Sequence, residues 1–232
     1  MCRKSNRIIK GGPTKLLEGV YKVDGVLANS YIVLYGDPTL IDSGMPNNGR
    51  RIIEYANNLH AQLKYILLTH AHVDHVGSAH YVKEKTDAKV AIHEADAPYL
   101  NGSKKFTMPK GFQGLLYRVL YPFISPKSFE PDIKLKDGDL INGFEVINIK
   151  GHTEGSCAFY HRETRSLFIG DSISMETGKP SLPPDRYNYD TELLKRSLKK
   201  ILDLDFENFF PGHGDPIIGG AGRIVKEFVH SF

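Results

Sequence analysis

The stretch Thr69-His70-Ala71-His72-Val73-Asp74-His75-Val76-Gly77 places four groups able to bind a metal within six residues. Imidazole nitrogens and a carboxylate suit a divalent cation, zinc first, with iron or manganese tolerated. The run directly follows an apolar strand pattern, Lys64-Tyr65-Ile66-Leu67-Leu68. Side chains two apart on extended backbone point the same way, so His70 and His72 can share one cation. Asp74 and His75, beyond a bend into the next helix, can aim at a second. The plain alternative is a solvated strand-to-helix loop in which Asp74 caps the helix.

Three more segments put a ligand-type residue at the end of a strand pattern. Lys150-Gly151-His152-Thr153 follows Phe144 to Ile149, Gly170-Asp171-Ser172 follows Ser166 to Ile169, and Pro211-Gly212-His213-Gly214 follows Phe209-Phe210. Small residues beside the ligands let backbone approach a crowded site. Each segment alone is weak, because a single histidine after a strand is more often structural. Taken with the first motif, they point to one metal-binding centre. Thr39-Leu40-Ile41-Asp42 also ends on an acid before a glycine loop, where a turn former is the plain reading.

The elements that carry these motifs alternate. Strand patterns through Val20 to Val23, Ser30 to Tyr35 and Thr39 to Ile41 lead to a helix over Arg50 to His60. A strand before His70, a helix over Gly77 to Thr86 and a strand over Lys89 to Ile92 follow. Such alternation implies a layered α/β domain. Residues 98-132 break the rhythm with prolines at 98, 109, 122 and 126 and with seven aromatics, and read as an insertion. Within it Phe112, Leu115, Leu116, Val119, Leu120 and Phe123 recur near helical spacing. That apolar face either closes as a flap over the metal cleft or docks on the core or on a second copy of the chain. Strands return over Ile133 to Leu135, Phe144 to Ile149, Ser156 to Tyr160 and Ser166 to Ile169, and helices over Asp190 to Leu202 and Arg223 to Phe232 complete the chain.

In their order, these motifs resemble those of the metallo-β-lactamase-fold hydrolases, specifically the glyoxalase II-like branch, over about residues 16 to 220. The resemblance implies a four-layer αβ/βα sandwich, one domain over 1-232, with the site at one edge between two sheets. It implies that His70, His72 and His152 hold a first metal, that Asp74, His75 and His213 hold a second, and that Asp171 bridges them. Asp42 then stands behind the ligands and orients a histidine by accepting its free ring N–H. Asp74 and Asp171 are the residues assigned to catalysis, Asp74 as a ligand first and as a general acid or base second.

Two divalent cations bring +4, Asp74 and Asp171 remove two, and a bridging hydroxide removes one. The resulting +1, lined by neutral imidazoles, stabilises an anionic transition state. The expected activity is dinuclear metal-dependent hydrolysis of an acyl ester, thioester or lactone. A mononuclear iron-dependent persulfide dioxygenase is the alternative, since the ligand set does not separate the two. An aspartate, Asp171, stands where the commonest zinc β-lactamase pattern has a cysteine. Typical glyoxalase II enzymes carry a C-terminal helical domain for glutathione, and the 19 residues after His213 are too few for it, so glutathione thioesters are not the expected substrates.

Composition narrows the classes further. With 41% hydrophobic and 25% charged residues among 232, and no apolar run near the roughly 20 residues that span a bilayer, no membrane insertion is expected. Lysines and arginines exceed acids by 30 − 27 = 3 and are spread along the chain, so no nucleic-acid partner is expected. The basic start lacks an apolar segment behind it, which suggests a cytoplasmic location. A small-molecule substrate is the expected partner, with a homodimer as the one assembly the apolar insertion suggests. Cys2 and Cys157 make no disulfide framework, and Cys157 reads as a small buried hydrophobe. His60, His80, His93, His161 and His230 read as surface or helix histidines.

Overall fold

Alternation along the central strands decides the layers. In β5 (Tyr65–Leu68), Ile66 and Leu68 face one apolar cluster while Leu67 faces another. In β10 (Cys157–His161), Ala158 and Tyr160 face outward to a third cluster while Cys157 and Phe159 join Leu67 in the shared one. A strand apolar on both faces must be covered on both, which produces two sheets stacked face to face with helices outside each. The computed structural model describes residues 12–106 and 125–232 and has this four-layer arrangement.

The first sheet has the order β1-β2-β3-β4-β5-β6-β7: Thr14–Leu17, Val20–Lys22, Tyr31–Val33, Thr39–Ile41, Tyr65–Leu68, Lys89–His93 and Ile133–Leu135. It is antiparallel through β4 and parallel from β4 to β7. The second has the order β13-β12-β11-β10-β9-β8, where β8 is Leu140–Ile141, β9 Phe144–Asn148, β11 Ser166–Gly170, β12 Asn208–Pro211 and β13 Ile217–Ile218. Among the described residues its one parallel pair is β11 with β12. Helices Gly49–Asn58 and Ala79–Thr86 cover the first sheet, and Thr191–Leu198 and Ala221–His230 cover the second.

Between the sheets, Tyr31 packs edge-on against Phe168 and Phe210, which stack on each other at 4.4 Å. Each such fully buried side chain contributes about 1.5–3 kcal/mol, and the stack fixes the spacing of the rim above it. Cys157 lies in this layer, 1% exposed, and burial raises its thiol well above the usual range, as befits a small hydrophobe.

The helix expected over Gly77 to Thr86 is Ala79–Thr86, and a separate short helix that was not expected, Val73–Val76, precedes it. Gly77 lies against Pro46 and Met45 so closely that a Cβ would collide with their backbone, and the helical path is interrupted at the next residue, Ser78. The expected Asp190 to Leu202 helix is Thr191–Leu198 followed by a 3-10 turn to Asp203, with Asp190 as cap accepting from the Leu193 N–H at 2.8 Å. Of the insertion, helix Ala97–Leu100 and Phe106 pack on the outer core of the first sheet, as do Tyr99 and Phe129. The apolar run Phe112 to Phe123 lies outside the described residues. Among the described residues, no helix is long and apolar enough to cross a membrane.

Candidate metal centre

Most of the ligand-type side chains stand beyond the C-terminal end of a strand, and Asp74 and His75 lie on the short helix that follows β5. β4 runs into Asp42, β5 into His70, β9 into the His152 loop, β11 into Asp171 and β12 into His213. Parallel pairing of β4 with β5 and of β11 with β12 brings those ends to one edge of the two sheets. Across the edge, the Cys157 N–H donates to the Thr69 carbonyl at 2.9 Å, and Tyr31 of β3 and Asn29 just before that strand both donate to the Pro211 carbonyl. Gly212 passes so close that a Cβ would strike Asp171 and His75, which explains the glycine before His213.

Two groups converge. One donor atom each from His70, His72, His152 and Asp171 lie within 4.8 Å of one another, and so do those of Asp74, His75 and His213. Asp171 stands between the groups. Its Oδ2 lies 3.9 Å from His70 Nε2, 3.7 Å from His152 Nε2 and 3.4 Å from His213 Nε2, and its Oδ1 lies 3.1 Å from His75 Nε2. His213 Nε2 also reaches Asp74 Oδ2 at 3.3 Å, and His72 Nδ1 meets His152 Nε2 at 2.9 Å.

Hydrogen bonds behind the rings set their tautomers. The Thr69 hydroxyl donates its one hydrogen to Asp42 Oδ2, so His70 Nδ1, 3.0 Å from that hydroxyl, must be the donor. Asp42 Oδ2 likewise accepts from His75 Nδ1 at 2.8 Å. Asn188 spends its amide hydrogens on Pro183 and Thr191, leaving Oδ1 to accept from His152 Nδ1 at 2.9 Å. In all three rings Nδ1 is held as a donor, and Nε2 faces inward.

Of these inward atoms His152 Nε2 meets His72 Nδ1, while others lack partners. His70 Nε2, His75 Nε2 and Asp171 Oδ1 are buried without an aligned hydrogen bond, the 3.1 Å approach of the last two included. A buried polar atom left unmet costs about 1–3 kcal/mol, and three at one point are relieved together by a cation. By geometry and donor chemistry the residues fit a metal.

Electrostatics divide the groups. Burial pushes His70 well below the usual imidazole range, lowers His152, and brings His72 to about 3. Burial opposes protonation of His75 and His213 as well, yet carboxylates outweigh it. Asp171 and Asp42 raise His75 well above the usual range, and Asp171 and Asp74 raise His213 to about 10. Burial works against ionised Asp74 and Asp171, but His213 and His75 hold Asp74 at about 2, and His75 and His213 hold Asp171 well below the carboxylate range.

A cavity of about 480 Å³ opens on His72, Asp74, His152, Asp171 and His213. Leu27, Met45 and Phe106 give it apolar lining, and Arg186 and Tyr187, the guanidinium 4.8 Å above the ring, give it a polar one.

All seven ligand-type residues expected from the motifs thus meet at one place, with Asp42 behind them. Three organising residues escape a reading of motifs. Thr69 relays from His70 to Asp42, and Asn188 holds His152. Asp96 accepts from the Ala71 and Gly155 N–H groups and the Thr153 hydroxyl, tying together the loops of His70, His72 and His152. Asn188 and Asp96 sit in stretches whose only signal is turn composition. His93 and His161, expected at the surface or on helices, are instead strand residues with 5% and 6% exposure, and His161 stacks on Tyr35. His93 ends β6, where one face is core.

Comparison with known proteins agrees with the geometry. The model of the metallo-beta-lactamase superfamily matches residues 23–213. The chain is 29% identical over 235 residues to the probable metallo-hydrolase YflN of Bacillus subtilis, covering 90% of this chain and 89% of that one. It is 27% identical over 194 residues to the hydroxyacylglutathione hydrolase GloC of Haemophilus influenzae, covering 83% and 87%. Among solved structures, TTHA1623 in a di-iron-bound form superposes with a TM-score of 0.70 at 30% identity, covering 89% of this chain and 98% of that one. With the family's match spanning the five motif-bearing strand ends and the fold superposing nearly end to end, the chain belongs to the metallo-beta-lactamase superfamily.

Proposed function

We propose that the chain is a metal-dependent hydrolase of an acyl ester, thioester or lactone, with two divalent cations, zinc first, as its cofactors. The observation that carries this reading is Asp171, largely buried and within 4 Å of histidines from both groups, with unpartnered nitrogens facing it. Relatives named as a metallo-hydrolase and a hydroxyacylglutathione hydrolase, and a neighbour solved with two irons, support it.

His70, His72 and His152 would hold one cation, Asp74, His75 and His213 the other, and Asp171 would be shared. Bound there, the pair supplies an activated water and polarises a carbonyl oxygen. The chain's own part is orientation. Asp42 and Thr69 fix the His70 and His75 rings, and Asn188 fixes His152, so that these three rings need not turn to receive an ion. Asp74 stays ionised at any working pH and is read as a ligand. Leu27, Met45 and Phe106 give an acyl chain an apolar surface away from water.

The test is a hydrolysis screen over thioesters, lactones, phosphodiesters and β-lactams with metal quantified before and after chelation. Activity on an acyl substrate that is lost on chelation and restored by metal supports the reading. One iron per chain with oxygen uptake on a persulfide would replace it with the dioxygenase.

A further inference from the structure

The outer side of His152 is held by a short relay that begins in the wall of the cavity. Residues Asp185–Tyr187 form a single 3-10 turn, and Pro183, Pro184, Arg186 and Tyr187 line the cavity. The same segment then returns to the His152 loop, where the Tyr189 N–H donates to the His152 carbonyl at 3.0 Å and the Asp190 N–H to the Gly151 carbonyl at 2.9 Å. We propose that Asp185 and Thr191 are positioning residues that act through Asn188 to fix the ring hydrogen of His152 on Nδ1, so that one set of hydrogen bonds holds both the cavity wall and the first cation position. That role presupposes the metal-dependent hydrolase proposed above.

What each group can give decides the direction of every bond. The Asp185 carboxylate only accepts, so the Thr191 hydroxyl donates its one hydrogen to Asp185 Oδ1 at 2.9 Å. That leaves Thr191 Oγ1 to accept from Asn188 Nδ2 at 2.9 Å, and the Pro183 carbonyl accepts from the same nitrogen at 3.1 Å. Two acceptors at that end admit only the amide NH₂, which turns Asn188 Oδ1 to His152 Nδ1 at 2.9 Å. Asn188 is 6% exposed, so a reversed amide would set its oxygen against two acceptors with little solvent to compensate.

The inner side of the ring does not fix the hydrogen. His72 Nδ1, 2.9 Å from His152 Nε2, can donate or accept, and the Asp171 carboxylate at 3.7 Å draws a hydrogen toward Nε2. Burial lowers the affinity of the ring for a second proton, so its one hydrogen sits on Nδ1 or on Nε2. On Nε2 it would occupy the lone-pair direction that a cation needs. The relay from Asp185 opposes that pull from outside, and it runs through a segment whose other face meets whatever fills the cavity.

The tautomer is read on the full metal-free chain from the ring-nitrogen chemical shifts of His152. Zinc affinity of the first position is read by chelator competition in an Asp74→Ala background, which takes a ligand from the second position. The unsubstituted chain should carry the hydrogen on Nδ1 alone. Asp185→Ala, an exposed change, and Thr191→Val each loosen the Asn188 amide. Each should bring in the Nε2–H tautomer and lower zinc affinity about three- to tenfold, while Asn188→Ala should lower it about 10–100-fold. Asn188→Asp presents an oxygen whichever way it turns, and combined with Thr191→Val it should restore the single tautomer and the affinity. Hydrogen on Nε2 in the unsubstituted chain, a Thr191→Val variant unchanged in tautomer and affinity, or an equal zinc loss in Thr191→Val with and without Asn188→Asp would each overturn the proposal. No zinc binding by the unsubstituted chain would count against the metal reading, and the tautomer shift would still decide the role of the relay.

Discussion

The two histidine groups that meet at Asp171 contain the same kind of side chain and are prepared in opposite ways. His70, His72 and His152 are depressed by burial and stand neutral, with His70 Nε2 and His152 Nε2 as acceptors turned inward. His75 and His213 are surrounded by Asp42, Asp74 and Asp171 and hold protons until something displaces them. Neighbours, not residue type, decide which imidazole is ready for a cation. The first group is poised to bind at neutral pH, whereas the second must release protons to do so.

The largest effect should come from the residue both groups share. Asp171→Ala is expected to lower hydrolysis about 10³-fold and to reduce retained metal at both positions, as measured by turnover and elemental analysis. A variant keeping two metals and most activity would erase the comparison altogether.

Next in size is Asp96, which serves the first group only. Asp96→Ala strands the Ala71 and Gly155 N–H groups and should cost about 2–4 kcal/mol of stability, read as a lower Tm and denaturant midpoint. An unchanged Tm would mean that the His70 and His152 loops hold themselves. Asp42 works behind the second group and, through Thr69, behind His70. Asp42→Ala should weaken metal binding about 10–100-fold, a smaller loss than that of Asp171, and equal losses would contradict the roles given to the two acids.

The pH dependence sharpens the contrast. His213, at about 10 in the metal-free chain, is protonated at pH 7 and must lose that proton on metal uptake. Affinity at the second group should therefore rise with pH, by about tenfold per unit for each proton released, until about pH 10. His72, at about 3, is already neutral, so affinity at the first group should be flat across the same range. Metal content after dialysis from pH 5 to 9 should climb from one equivalent toward two. A simultaneous loss of both metals as pH falls would show that the groups are not separately prepared.

Much of this was legible in the sequence because ligands end strands, and both signals are local. The spacing His70-x-His72-x-Asp74-His75 and the strand patterns before Asp42, His152, Asp171 and His213 each occupy under ten residues. The alternation of Ile66, Leu67 and Leu68 between two cores is an apolar run in sequence, and only the fold assigns its faces. Asp96 and Asn188 were not legible, because each acts on a loop 25 or more residues away and has no signature of its own. His93 was misplaced for a related reason: a histidine at the end of an apolar strand is buried or exposed according to what packs beside it.

The central claim is that two cations sit on either side of Asp171. Anomalous diffraction from crystals of the metal-loaded protein, collected at the edge of the incorporated metal, tests it directly. The account predicts two peaks per chain, one within bonding distance of His70, His72 and His152 and one within bonding distance of Asp74, His75 and His213, with Asp171 touching both. A single peak, or peaks away from Asp171, would contradict it.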